Sequence, residues 1–211
     1  MAPEIISNAV YIFRGFLSPE QCDEVLAHFD DKERYIAETL SYNFNSKDNN
    51  SSPDAKVESK SRKGHVKFLN DVYDLPHGEK ITMALDHYSS ETGIVTYPDH
   101  VIFQLGIYDE PGDHFIWHPD HSISISNFND EVRKVSASLQ LTDPSEYEGC
   151  NLHLQLPTSI EQSNEGVNTM IASKERGDLI VFPSYLKHKI SELKSGTRHA
   201  LVLWYQGPDW R

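Results

Sequence analysis

Four residues have the types and spacing for metal-centred oxygen chemistry: His118 and Asp120, two apart, then His188, then Arg198. Two histidines and one carboxylate make a facial triad, a donor set that suits Fe(II) and leaves coordination positions open. Zinc sites draw on the same donor types, so the ligands alone do not separate iron from zinc. Arg198 adds a fixed cation whose planar fork matches a carboxylate in two parallel hydrogen bonds. The set points to a metal that holds a dicarboxylate beside a guanidinium.

His-x-Asp by itself is weak: a shuffled chain of this composition holds roughly one such triplet, so context must decide. His28-Phe29-Asp30 also fits, but it falls at the end of a helical pattern, where residues two apart do not share a face. His118-Pro119-Asp120 instead follows an apolar run and a turn at Glu110-Pro111-Gly112-Asp113. Extended backbone points residues two apart the same way, and Pro119 favours that conformation at His118. His188 follows the apolar run Leu179–Phe182 and the break Pro183-Ser184, which suits a ligand from a second strand. His114 and His121 fit a strand face with Asp120 less well, and His153 and His199 read as structural. Arg198 shares parity with Ala200, Val202 and Trp204, so it belongs to an inward row. There it needs an anion, either a structural carboxylate or one from a ligand. His188 and Arg198 flank a turn at residues 194–197, which predicts adjacent antiparallel strands.

The elements that position these residues fall in two parts. Ser18-Pro19-Glu20-Gln21 has the chemistry of a capping box with proline at the first helical position. Cys22, Val25, Leu26 and Phe29 then recur at helical spacing, and a second helix is expected over Glu79–Ser89. Residues 41–65 are rich in Ser, Asn, Asp and Lys and read as a mobile loop, either a plain insertion or a lid. From residue 100 the pattern becomes short strands. Val101–Tyr108 comes first. Val135, Ala137, Leu139 and Leu141 alternate with Lys134, Ser136, Ser138 and Gln140. Leu152, Leu154 and Leu156 alternate next, then Leu179–Phe182, then Ala200–Tyr205. This order predicts a mainly β sandwich or jelly roll with N-terminal helices. One domain over 1–211 is expected, with helical support in 1–98 and the jelly-roll core in 99–207.

The net charge of −13 argues against a sequence-independent nucleic-acid binder or an anionic-membrane binder, which needs a basic footprint. Two cysteines, Cys22 and Cys150, give neither a disulfide framework nor zinc-finger spacing, so a reducing compartment is expected. No basic n-region precedes an apolar run at the N-terminus, and no apolar stretch approaches ~20 residues, so the protein is expected to be cytoplasmic.

These residues resemble the 2-oxoglutarate/Fe(II)-dependent oxygenases, and within them the prolyl-4-hydroxylase-like branch. The resemblance runs from Gln104 to Trp204. It is carried by Gln104-Leu-Gly-Ile-Tyr108, Gly112, His118-x-Asp120, the strand from Arg133 to Leu141, Gly177-Asp178-Leu-Ile-Val-Phe182-Pro183-Ser184, His188, Gly196-Thr-Arg198 and Trp204. It implies a double-stranded β-helix with helices packed outside. It implies that His118, Asp120 and His188 bind Fe(II), that Arg198 holds the distal carboxylate of 2-oxoglutarate, and that Tyr108 lies near the cosubstrate. Gln140 stands where many prolyl hydroxylases have a tyrosine that helps bind that carboxylate, and Phe115 replaces another tyrosine. Arg133 and Trp204 fall where relatives line the substrate side.

The resemblance implies O2 as co-reactant and ascorbate as a candidate reductant. It also implies hydroxylation of a C–H bond, with a prolyl or other peptidyl side chain as first expectation. Lys56, Lys60, Arg62 and Lys63 of the 41–65 segment are placed to clamp a peptide. Two alternatives stay open: a small-molecule hydroxylase of the same superfamily, and a non-catalytic jelly roll that binds a sugar or peptide. Oligomeric state has no sequence signature here.

Overall fold

Alternation along residues 131–141 produces a strand with two different buried faces. Val135, Ala137, Leu139 and Leu141 enter one apolar core, while Ser136, Ser138 and Gln140 are buried on the opposite side. The computed structural model describes residues 2–37, 61–68, 74–97, 99–121, 131–157 and 168–209. In chain order these form β1 (Glu4–Ile6), β2 (Val10–Phe13), α1 (Pro19–Ala27), β3 (Tyr35–Ile36), β4 (Arg62–Lys63), β5 (His65–Phe68), α2 (Gly78–Thr92), β6 (Val101–Tyr108), β7 (His114–His118), β8 (Glu131–Gln140), a 3-10 turn (Pro144–Glu146), β9 (Tyr147–Gly149), β10 (Leu152–Gln155), β11 (Thr169–Ile171), β12 (Leu179–Pro183), β13 (His188–Ile190), β14 (Leu193–Gly196) and β15 (Arg198–Pro208).

An eight-stranded antiparallel sheet has the order β1-β2-β12-β8-β15-β6-β5-β3, and a five-stranded sheet the order β11-β10-β13-β7-β4. Ile12, Ile180 and Phe182 from the large sheet pack with Leu152, Leu154 and Ile190 from the small one. This is the expected double-stranded β-helix. Helices α1 and α2 cover the outer face of the large sheet, where Cys22, Val25, Ile81 and Leu85 join Leu105, Leu139 and Leu203. The cap forms as expected: the Gln21 amide donates to Ser18 Oγ and the Ser18 amide to Gln21 Oε1. Among the described residues no helix is long and apolar enough to cross a membrane.

Three expectations change. The N-terminal part is not only helical support: β1 and β2 extend one edge of the large sheet, and β3 and β5 the other. Val10–Phe13 is a four-residue apolar run, too short for its period to be read. The polar segment also ends earlier than residue 65. Residues 38–60, with Lys56 and Lys60, lie outside the described residues, but Arg62–Lys63 pairs with β7 and His65–Phe68 with β6. Backbone pairing at a sheet edge satisfies polar groups whatever the side chains. Finally, β13 and β15 are not neighbours. His188 lies in the small sheet and Arg198 in the large one, because β14 turns away to pair with β9.

Gly177 ties the N-terminal hairpin to the barrel. Its carbonyl accepts from the Leu17 amide and its own amide donates to the Gln140 carbonyl. With φ at +86°, a Cβ there lies 2.0 Å from the Leu17 carbonyl oxygen. Positive φ and overpacking each cost ~1–3 kcal/mol, so Gly177→Ala is expected to destabilise by about 3 kcal/mol or more. At this chain length that lowers the melting temperature by roughly 10 °C, and an unchanged melt by circular dichroism rejects the account.

Candidate metal centre and its pocket

His118 closes β7, His188 opens β13, and the two are direct antiparallel partners. Cross-strand partners stand roughly 5 Å apart, so their imidazoles meet, with ring centroids 4.3 Å apart. Asp120 lies just past β7, where its amide donates to the Ser184 carbonyl at 2.8 Å. That bond brings its carboxylate to the histidines. Nε2 of His118 is 3.6 Å from one Asp120 oxygen, and Nε2 of His188 is 3.3 Å from the other. One donor atom from each residue lies within 4.8 Å of the other two.

The far side of each imidazole sets its tautomer. Nδ1 of His118 is 2.7 Å from the Ile116 carbonyl, and Nδ1 of His188 is 2.9 Å from the Leu186 carbonyl. A carbonyl only accepts, so each Nδ1 carries a proton and each Nε2 can keep a lone pair for a metal.

The electrostatics ask for a cation. Burial raises the Asp120 carboxyl, but the facing His188 charge and the hydrogen bonds from both histidines outweigh it, holding the carboxyl well below its ordinary value. Burial lowers the His188 imidazole, and the Asp120 charge and hydrogen bond overcome that to raise it. Ser136 Oγ donates to Asp120 Oδ2 at 2.8 Å and lies 2.8 Å from Ser184 Oγ, which fixes the carboxylate from behind.

Arg198 opens β15 opposite Tyr108, and the two are cross-strand partners. It is 2% exposed. Its Nη2 donates to Gln140 Oε1 at 2.9 Å, and Gln140 Nε2 donates in turn to Ser138 Oγ at 3.0 Å. The guanidinium carbon lies 5.7 Å from the Tyr108 ring centroid. Among the described residues no carboxylate forms an ion pair with Arg198. Arg198, Ala200, Val202 and Trp204 line one pocket with His118, Asp120 and His188, as their shared parity predicts. His199 points away: its ring Nδ1 lies 3.4 Å from the Thr142 hydroxyl, and its amide donates to Thr142 Oγ1.

The rest of the wall is aromatic and cationic. Phe115 stacks on His118 with centroids 3.5 Å apart, and Arg62 lies over Phe115 at 4.8 Å. Arg133 lies 3.9 Å over the Trp204 ring. His28 and Asp30, the competing triplet, sit at the C-terminal end of α1, with Asp30 exposed.

Residues 103–206 match the family model described as the 2OG-Fe(II) oxygenase superfamily. Through this segment the chain belongs to that superfamily. A PKHD-type hydroxylase of Stutzerimonas stutzeri is 30% identical over 97 residues, covering 45% of this chain and 39% of that protein. The chain thus spans about two-fifths of that relative's length. A prolyl-4-hydroxylase of Pseudomonas putida superposes with a TM-score of 0.63 at 16% identity, over 95% of this chain and 94% of that one. A Trichoplax adhaerens prolyl hydroxylase, solved with a peptide fragment of a hypoxia inducible factor, gives 0.61 at 17% identity, over 95% and 87%. At these identities the likeness establishes the fold.

For a 2OG-Fe(II) oxygenase the donor set fits. Two imidazole Nε2 atoms and one anionic carboxylate converge, and a buried cation with no ion-pair partner among the described residues stands in the same pocket. The sequence alone did not single out Ser136 as part of the site. Its signal was a polar row, Ser136, Ser138 and Gln140, inside a strand whose other face is wholly apolar. Partners that orient a metal ligand commonly change affinity about 10–100-fold when removed. Ser136→Ala is therefore expected to weaken Fe(II) binding by about that factor in anaerobic titration, and parental affinity counts against the role.

Proposed function

We propose that the protein is an Fe(II)- and 2-oxoglutarate-dependent dioxygenase that hydroxylates a prolyl or other peptidyl side chain. The observation that carries this reading is Arg198, a buried guanidinium without an anionic partner among the described residues, beside a three-donor cation site. When bound, Fe(II) and 2-oxoglutarate supply with O2 an oxidant that replaces a C–H hydrogen by hydroxyl, forming succinate and CO2.

The chain's own residues do the positioning. His118, Asp120 and His188 hold the metal, with Ser136 and the two backbone carbonyls fixing their orientation. Arg198 takes the distal carboxylate of 2-oxoglutarate, Gln140 holds the guanidinium in place, and the Tyr108 ring packs beside it. Leu152, Phe182 and Ile190 line the pocket with apolar surface that excludes water. Arg133 and Trp204 face the substrate. The peptide substrate draws support from the fold shared with the Trichoplax enzyme and its bound peptide.

Anaerobic titration with Fe(II) and 2-oxoglutarate is expected to produce a weak visible charge-transfer band, and air is expected to start slow succinate release. A peptide library read by mass spectrometry then locates the added oxygen. No band at saturation rejects the oxygenase reading, and oxygen found only on free small molecules rejects the peptide.

A further inference from the structure

Besides Arg198, Arg62 lines this pocket, and Arg133 stands behind its Trp204 wall. Arg62 comes from β4 and lies over Phe115; Arg133 comes from β8 and lies over Trp204. Burial disfavours the charged form of Arg133, Asp120 favours it, and the nearby Arg62 charge disfavours it. Among the described residues neither arginine forms an ion pair. The chain carries a net charge of −13, so paired cations here are not a by-product of general basicity.

The same wall carries two orphaned donors. Nε of Arg62 and Nε1 of Trp204 are buried and have no hydrogen-bond partner among the described residues. Both residues line the pocket, and Trp204 is only 5% exposed. Guanidinium and indole nitrogens donate and never accept, so what answers them must bring acceptor oxygens. Like charges held together away from water are unfavourable until an anion sits between them. Asp120 favours the Arg133 charge from a distance but forms no ion pair with either arginine, since its oxygens face the histidines and Ser136.

We infer that the substrate presents a carboxylate to Arg62 and Arg133, with Trp204 Nε1 donating to one of its oxygens. This rests on the oxygenase reading and narrows it, because a neutral prolyl ring offers these donors nothing. The carboxylate belongs either to an acidic side chain beside the target in a peptide or to a small free acid. Arg198 is already taken by the cosubstrate, which keeps the two anion sites separate.

The test uses anaerobic protein loaded with Fe(II) and saturating 2-oxoglutarate, which blocks Arg198. Two matched pairs serve as probes: Ac-Asp-Pro-Gly-NH2 against Ac-Asn-Pro-Gly-NH2, and N-acetyl-L-proline against its amide. Binding is read from the change in the charge-transfer band and from tryptophan fluorescence. The acid of at least one pair is expected to bind about tenfold tighter or more than its uncharged twin, the size of a charge-assisted hydrogen bond. Which pair responds identifies the source. The preference is expected to fall below about threefold in Arg62→Gln and to survive in Arg62→Lys. It is taken as a ratio within each protein, so a partly unfolded variant lowers both affinities and leaves it intact. No preference in either pair, including binding of neither twin, overturns the carboxylate inference, as does a preference that persists in Arg62→Gln/Arg133→Gln. Absence of the band in the parent protein counts against the oxygenase reading instead.

Discussion

Asp120→Asn is expected to abolish Fe(II)-dependent succinate formation while leaving the fold intact. The substitution keeps shape and one acceptor oxygen, so the Ser136 hydroxyl, which now donates to Asp120 Oδ2, keeps a partner. The Asp120 backbone bond to Ser184 is unaffected. What disappears is the one negative charge among three donors. Removing outer partners of metal ligands costs up to about 100-fold in affinity, and loss of a charged ligand exceeds that. Fe(II) affinity is therefore expected to drop more than about 100-fold in anaerobic titration, with succinate release at background. The circular dichroism melt is expected to stay within a few degrees of the parent, because metal-free Asp120 serves no other described ion pair than those with His118 and His188. Retention of Fe(II)-dependent succinate release places the cation elsewhere.

Much of this site was legible because it follows strand parity. Arg198, Ala200, Val202 and Trp204 share a face in the sequence and share the pocket in the structure. Asp120 follows His118 by two residues, and the backbone beyond β7 keeps them on one side. The helices were legible for equally local reasons: a complete capping box opens α1, and α2 ends where Gly93 takes φ +70°. Local periodicity cannot report which strands become neighbours. His188 and Arg198 are ten residues apart and suggested a hairpin, yet β14 diverts the chain to β9 and puts them in opposite sheets. The outcome serves the site better, since the metal donors and the guanidinium then face each other across one cavity.

Arg62 shows the other limit. Its segment reads as polar loop by composition, and nothing in its neighbours marks a strand. Its place is set by long-range backbone pairing: β4 adds to β7, which carries His118, and β5 adds to β6, which carries Tyr108. Gly64 joins the two with φ +142°, and a Cβ there would press on the Ile107 carbonyl at 3.0 Å and on the Tyr108 ring at 3.3 Å. Arg62, two residues before that glycine, is thereby carried to the pocket from 56 residues upstream of His118 in sequence.

Arg198→Met is expected to raise the apparent 2-oxoglutarate Km about 30-fold or more, without destabilising the protein free of 2-oxoglutarate. The first half follows from removing one partner of a buried charged pair, which costs roughly 2–5 kcal/mol. The second separates a ligand-binding arginine from a structural one. Met has similar length and no charge, so it removes a cation whose burial costs several kcal/mol when no anion is near. Against that stands Gln140 Oε1, which loses its donor at a cost of ~1–3 kcal/mol. The balance is near zero or favourable, and Arg198→Met with Gln140→Leu is expected to be more stable than either parent or single variant. Saturating 2-oxoglutarate at 100 times its Kd stabilises the parent by about 2.7 kcal/mol, a rise of roughly 5–10 °C in melting temperature. In Arg198→Met a Kd weakened about 30-fold leaves about 0.9 kcal/mol at the same concentration, so that ligand-induced rise is expected to fall to about a third or less. A structural arginine gives the opposite result: a lower melt without 2-oxoglutarate and an undiminished rise with it.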